Sequence, residues 1–60
     1  MDKLLLTPEE AATVLSIGRS KVYELISDGR LASVQIDASR RIPANALVEF
    51  VEGLQKERES

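Results

Sequence analysis

Apolar residues recur along this chain with two different periods, and each change of period marks an element. Thr7-Pro8-Glu9-Glu10 has the signature of a helix start. Thr7 suits the N-cap, Pro8 the first helical position, and Glu10 the reciprocal arm of a capping box. The first helix is therefore expected from Pro8 to about Leu15, with Ala12 and Leu15, three residues apart, on one buried face. Ser16-Ile17-Gly18 breaks the pattern, and Gly18 can cap the next helix or absorb an unusual backbone angle. A second helix follows from Arg19 to about Asp28, with Val22, Leu25 and Ile26 at helical spacing and Gly29 at the C′ position. Between residues 33 and 42 the period shortens. Val34 and Ile36 alternate with Ser33 and Gln35, and Arg41-Ile42 resumes beyond Asp37-Ala38-Ser39, which predicts a hairpin of two short strands. Pro43 is expected to open a third helix over about residues 44–56. Its stripe of Leu47, Phe50, Val51 and Leu54 should lie in the core, and the polar residues after Leu54 should fray. Val48 and Leu4 fall outside the core pattern and are expected to be exposed.

The predicted order is helix, turn, helix, hairpin, helix, a mostly α domain spanning residues 1–60. Two short helices around a tight turn are a helix-turn-helix. The hairpin is too short to be stable alone and must lean on the helices as a wing. The expected fold class is a winged helix-turn-helix.

Composition narrows the chemistry. Sixty residues bury only about 60% of the surface of the unfolded chain, so stability is marginal. The usual staples of small domains are missing, for the chain has no cysteine and no histidine. That excludes disulfides, thiolate zinc sites and Cys/His or Ser/His catalysis. Tyr23 and Phe50 are the only aromatic residues, so the core must be aliphatic, and no substrate pocket is expected. No enzyme activity, metal or cofactor is expected either. The longest apolar run, Leu4-Leu5-Leu6, is far too short for a signal peptide or membrane span. A soluble cytoplasmic protein is the expectation.

Charge changes the picture through its distribution. The net charge is −2, which alone argues against nucleic acid. Yet residues 18–43 carry Arg19, Lys21, Arg30, Arg40 and Arg41 against Glu24, Asp28 and Asp37, a net of +2 between two segments of −2 each. A helix-turn-helix lays the N-terminal part of its second helix against base edges in the major groove. Arg19, Ser20 and Lys21 stand there. Arginine can bond two acceptors of guanine, and serine can donate or accept. Tyr23 can offer its hydroxyl to a phosphate. Arg40 and Arg41, beside Ser39 and Gln35 in the wing, suit the phosphate backbone or a minor groove. Taken singly, the same charges are equally accounted for as a solvated helix start and as edge-strand protection. Their combination in one topology favours double-stranded DNA. Glu9 and Glu10 are accounted for by capping and by the helix dipole rather than by catalysis.

The run Leu5-Leu6-Thr7-Pro8-Glu9-Glu10-Ala11-Ala12, followed by Ile17, Arg19-Ser20-Lys21-Val22-Tyr23, Leu25-Ile26, Gly29-Arg30-Leu31 and Arg41-Ile42-Pro43, resembles the excisionase-type, MerR-like winged-helix family. The resemblance covers about residues 4–54. It implies that the second helix is the recognition helix, that Arg19, Ser20, Lys21 and Tyr23 face DNA, and that Arg41 meets backbone or minor groove. It also implies an accessory role in site-specific recombination, in which the protein binds and bends DNA near an attachment site and favours excision by a partner integrase. Ser16 replaces a frequent glycine, Gly18 a usual Ser, Asp or Asn cap, and Glu24 a frequent basic or polar residue. No segment for a long dimerisation helix or an effector domain is seen, so no small-molecule effector is expected. Head-to-tail self-association on DNA is expected, because a module burying about 600–1,000 Å² on DNA binds weakly alone. Two other functions fit the same residues: a small transcription regulator, and a protein-interaction module without DNA binding, which the acidic balance and Glu24 would suit.

Overall fold

Three helices and three short strands alternate along the chain, in a computed structural model that describes residues 3–59. The elements are β1 (Leu5–Leu6), α1 (Pro8–Leu15), α2 (Arg19–Ser27), β2 (Val34–Ile36), β3 (Ser39–Pro43) and α3 (Ala44–Glu59). The expected helix-turn-helix, hairpin and final helix are all present. The first strand is an addition. β1 pairs antiparallel with the far end of β3, Leu5 opposite Pro43 and Leu6 opposite Ile42, giving a sheet of order β1-β3-β2. A two-residue strand shows no alternation, so periodicity could not reveal it.

α1 begins as its residues dictate. Glu10 N–H donates to Thr7 Oγ1 at 3.1 Å, and Thr7 N–H donates to Glu10 Oε1 at 2.9 Å, which closes the capping box. The Lys3 ammonium also contacts Glu10. That ammonium and the Thr7 N–H hold the Glu10 carboxyl below its ordinary value of 4.5. The α1–α2 turn needs a left-handed residue, and Ser16 supplies it at φ 59°, a conformation that glycine adopts without strain. Gly18 has an ordinary extended φ of −75°, so it serves α2 as an N-cap rather than as an unusual backbone angle. α2 ends at Asp28, and Gly29 follows at φ 76°.

The core is aliphatic: Leu6, Ala11, Ala12, Val22, Leu25, Leu31, Ile42, Ala46 and Leu47. Among the described residues no polar side chain is buried.

Three expectations need correction. Pro43 ends β3 and does not open α3, which starts at Ala44. Proline lacks the N–H for a ladder bond, but the next residue takes over, Ala44 N–H donating to the Leu4 carbonyl at 2.9 Å. Ser39 belongs to β3, so the hairpin turn is Asp37-Ala38 alone, with Asp37 at φ 55°. Positive φ at the first turn residue is what a two-residue hairpin loop requires.

The third correction concerns α3. It does not fray after Leu54 but continues to Glu59, through Gln, Lys, Glu and Arg residues that favour helix. Of its stripe, Leu47 is buried and Phe50 half-buried, while Val51 and Leu54 are 39% and 37% exposed. Helices of eight and nine residues are too short to cover the distal half of one of sixteen. Arg30 partly does so, its guanidinium 6.0 Å from the Phe50 ring centroid and 3.9 Å from Glu57. Val48 and Leu4 are exposed.

Candidate nucleic-acid interface

α2 is anchored to the core by Val22 and Leu25, with Ile26 half-buried beside them. Helical geometry turns about 100° per residue, so that anchor fixes where the other side chains go. Ser20, Glu24 and Ser27 point most directly away from the core. Tyr23 and Arg19 flank that face on one side, and Lys21 flanks it on the other. Arg19, Ser20, Lys21 and Tyr23 are all exposed, and Tyr23 is 46% accessible despite its large ring. The first turn of α2 therefore presents two cations and a hydroxyl beside helix N–H groups that no side chain caps, a suitable surface for phosphate and base edges. Gly18 places no side chain over those N–H groups.

The cations are not bare. Arg19 Nη1 lies 3.3 Å from Glu9 Oε2, and Lys21 Nζ lies 3.2 Å from Glu24 Oε1. The sequence accounts for Glu9 and Glu10 together, by capping and the helix dipole. The structure divides the two acids: Glu10 closes the capping box, whereas Glu9 reaches across the turn to α2.

In the wing, Gln35 stands opposite Arg40, Val34 opposite Arg41, and Ile36 opposite Ser39. Side chains alternate along a strand. Arg40 therefore shares a ribbon face with Gln35, and Arg41 shares the other with Val34, Ser39 and Ile36. The two arginines are neighbours in sequence but project to opposite faces. Arg40 Nη1 donates to Ser33 Oγ at 3.1 Å, and Arg41 Nη1 donates to the Arg40 carbonyl at 2.9 Å. Neither lies within ion-pair distance of a carboxylate among the described residues, unlike Arg19 and Lys21. No hydrogen bond or ion pair found among the described residues joins the wing group to the α2 group.

No group of three or more metal-ligating side chains occurs among the described residues. None of the described helices is long and apolar enough to cross a membrane. Among the described residues, open grooves run along α3. One, of about 270 Å³ between α1 and α3, is lined by Val14, Leu15, Leu47, Val48, Val51 and Glu52.

Comparison with known proteins decides the family. A model of the helix-turn-helix domain matches residues 5–55. A protein of Streptomyces ambofaciens named an excisionase is 50% identical over 48 residues, which span 80% of this chain and 77% of that one. The chain belongs to the excisionase-type helix-turn-helix family. A probable excisionase of Saccharopolyspora erythraea is 45% identical over 49 residues, 82% of this chain but only 50% of that protein. No solved structure is significantly similar. α1 and α2 are the two helices of this helix-turn-helix.

Proposed function

We propose that this protein is a DNA-binding accessory factor of site-specific recombination, an excisionase that prefers certain sequences and cuts no DNA itself. The observation that carries the proposal is a pair of DNA-suited surfaces on a chain 50% identical over 48 residues to a protein named an excisionase. α2 offers Arg19, Ser20, Lys21 and Tyr23 to the major groove. Arg19 reads a base edge, Lys21 and Tyr23 hold phosphates, and Ser20 does either. The wing offers Ser39, Arg40 and Arg41 to the adjacent minor groove. Arginines on opposite faces of a thin ribbon suit a groove walled by phosphates on both sides.

Binding is cooperative. One copy has few cations, and two of them, Arg19 and Lys21, already face carboxylates, so a lone copy binds weakly. Neighbouring copies associate head-to-tail along the duplex. Support for this comes from complementary surfaces. The wing exposes Val34 and Ile36 on the face it shares with Arg41, and the α1–α3 groove is apolar with Glu52 at its edge. An array of this kind bends DNA and brings distant sites to the partner integrase. Its proposed DNA partner places its work in the cytoplasm.

The test is a recombination assay on a plasmid carrying the element's own attachment sites with its integrase supplied. The wild-type chain is expected to raise excision, and Arg19→Ala and Arg41→Ala to lose most of that effect. Excision indifferent to the protein would refute the recombination role.

A further inference from the structure

We infer that Glu9, on the first helix of the pair, is a positioning residue for base reading by Arg19. The inference rests on α2 being the DNA-reading helix, and it assigns a role to a carboxylate that capping leaves unused. Glu9 and Glu10 are adjacent and both occupy the first turn of α1. Only Glu10 joins the capping box with Thr7. Glu9 instead accepts a hydrogen bond from Arg19 Nη1 at 3.3 Å, across ten positions of sequence and the whole inter-helix turn. Both side chains are mostly exposed, 65% for Arg19 and 55% for Glu9, so the contact is not forced by packing.

An acid on a DNA-facing surface repels phosphate and weakens binding to every sequence. A carboxylate that holds an arginine gives something in return. A guanidinium has five N–H donors in a rigid fork, so one bond to Glu9 leaves enough for a two-pronged contact with guanine. Arginine otherwise samples many rotamers, and fixing it beforehand reduces the entropy lost when the base contact forms. A pinned fork also swings less readily to a phosphate, so binding to wrong sequences gains less. Glu9 thus exchanges general affinity for discrimination. The turn makes the arrangement rigid: Ser16 holds its left-handed conformation, and the Ile17 N–H donates to the Ala12 carbonyl at 3.0 Å, fixing the start of α2 relative to α1.

The experiment compares the full-length wild type, Glu9→Ala, Glu9→Gln, Arg19→Ala and the Glu9→Ala/Arg19→Ala double variant. The DNA probes are a duplex selected by the wild type from a randomised pool, its single-base-pair variants, and a random duplex at the same salt. Thermal melting of each variant confirms that it is folded. Glu9→Ala is expected to bind random duplex more tightly while losing about two- to fivefold in discrimination at the base pair that Arg19→Ala also blunts, the scale of an exposed ion pair. Glu9→Gln should bind random duplex as Glu9→Ala does yet keep most of the discrimination, because its amide oxygen still accepts from Arg19. In the double variant the loss should not exceed that of Arg19→Ala. If Glu9→Ala alters selected and random duplexes by one common factor, or if Glu9→Gln and Glu9→Ala discriminate alike, Glu9 is only a charge and the inference fails alone. If Arg19→Ala blunts no base pair, base reading by Arg19 fails first and the role of Glu9 falls with it.

Discussion

Arg19 is exposed and Arg41 half-buried, and the proposed function asks them to do different things. Arg19→Ala should cost about 1–3 kcal/mol on the preferred site and much less on random DNA, because a two-pronged base contact is lost. Arg41→Ala should weaken binding evenly on all sequences and lower the salt slope by about one, because a phosphate contact is lost. Quantitative binding titrations on both duplexes separate the two, and identical behaviour would overturn the assignment of roles. Glu24 lies on the outward face of α2 and holds Lys21 at 3.2 Å. Glu24→Gln is therefore expected to tighten binding several-fold at low salt and to do little at high salt, as fluorescence anisotropy would show. The type and order of these residues were legible in the sequence, whereas the facing of Arg19, Ser20, Lys21 and Tyr23 came from the family resemblance. The Glu9–Arg19 contact was not legible, because a link between residues ten apart depends on the angle of a turn that no local pattern records. The opposite directions of Arg40 and Arg41 follow from strand alternation once the register is known.

Among the elements, α1 shows how closely local chemistry can fix structure. Its capping box agrees with the residues that form it, whereas the turn holds Ser16 in a left-handed conformation that serine disfavours. Ser16→Gly should stabilise the protein by about 0.5–1 kcal/mol, since glycine relieves the strain of φ 59° at some cost in chain entropy. Gly18→Ser should add a few tenths more, because a Cβ there meets open space and the hydroxyl can cap α2. Denaturant titration tests both. The lowered Glu10 pKa gives a pH dependence. The carboxylate contributes stability above its unfolded value of 4.5, and that contribution is lost as pH falls through the lower folded value. Glu10→Gln should flatten this acid limb in melting curves taken from pH 6 down to about pH 3. β1 and the distal half of α3 were less legible. A two-residue strand has no period, and a helical stripe reveals a face without revealing how far its neighbours reach to cover it.

At the scale of the whole molecule, nine small and aliphatic residues hold the fold, and Leu31, Ile42 and Val22 are the largest that are wholly enclosed. Ile42 is pivotal because it sits on β3, which pairs with both other strands. Ile42→Ala should cost about 2–5 kcal/mol, enough to unfold much of so small a domain at growth temperature, and circular dichroism would report it. The acidic balance of the chain and its basic middle are reconciled by placement, with half of the cations on α2 and the wing and most of the acids on α1 and α3. Composition alone would have discouraged a DNA-binding reading, and topology restored it. The measurement that tests this account most directly is binding of the full chain to a long duplex from its own attachment region and to random duplex, across a salt series. The account predicts strong salt dependence and a sigmoidal isotherm that favours the attachment region. No binding to either duplex at low salt would contradict it and leave the basic middle as an ordinary solvated surface.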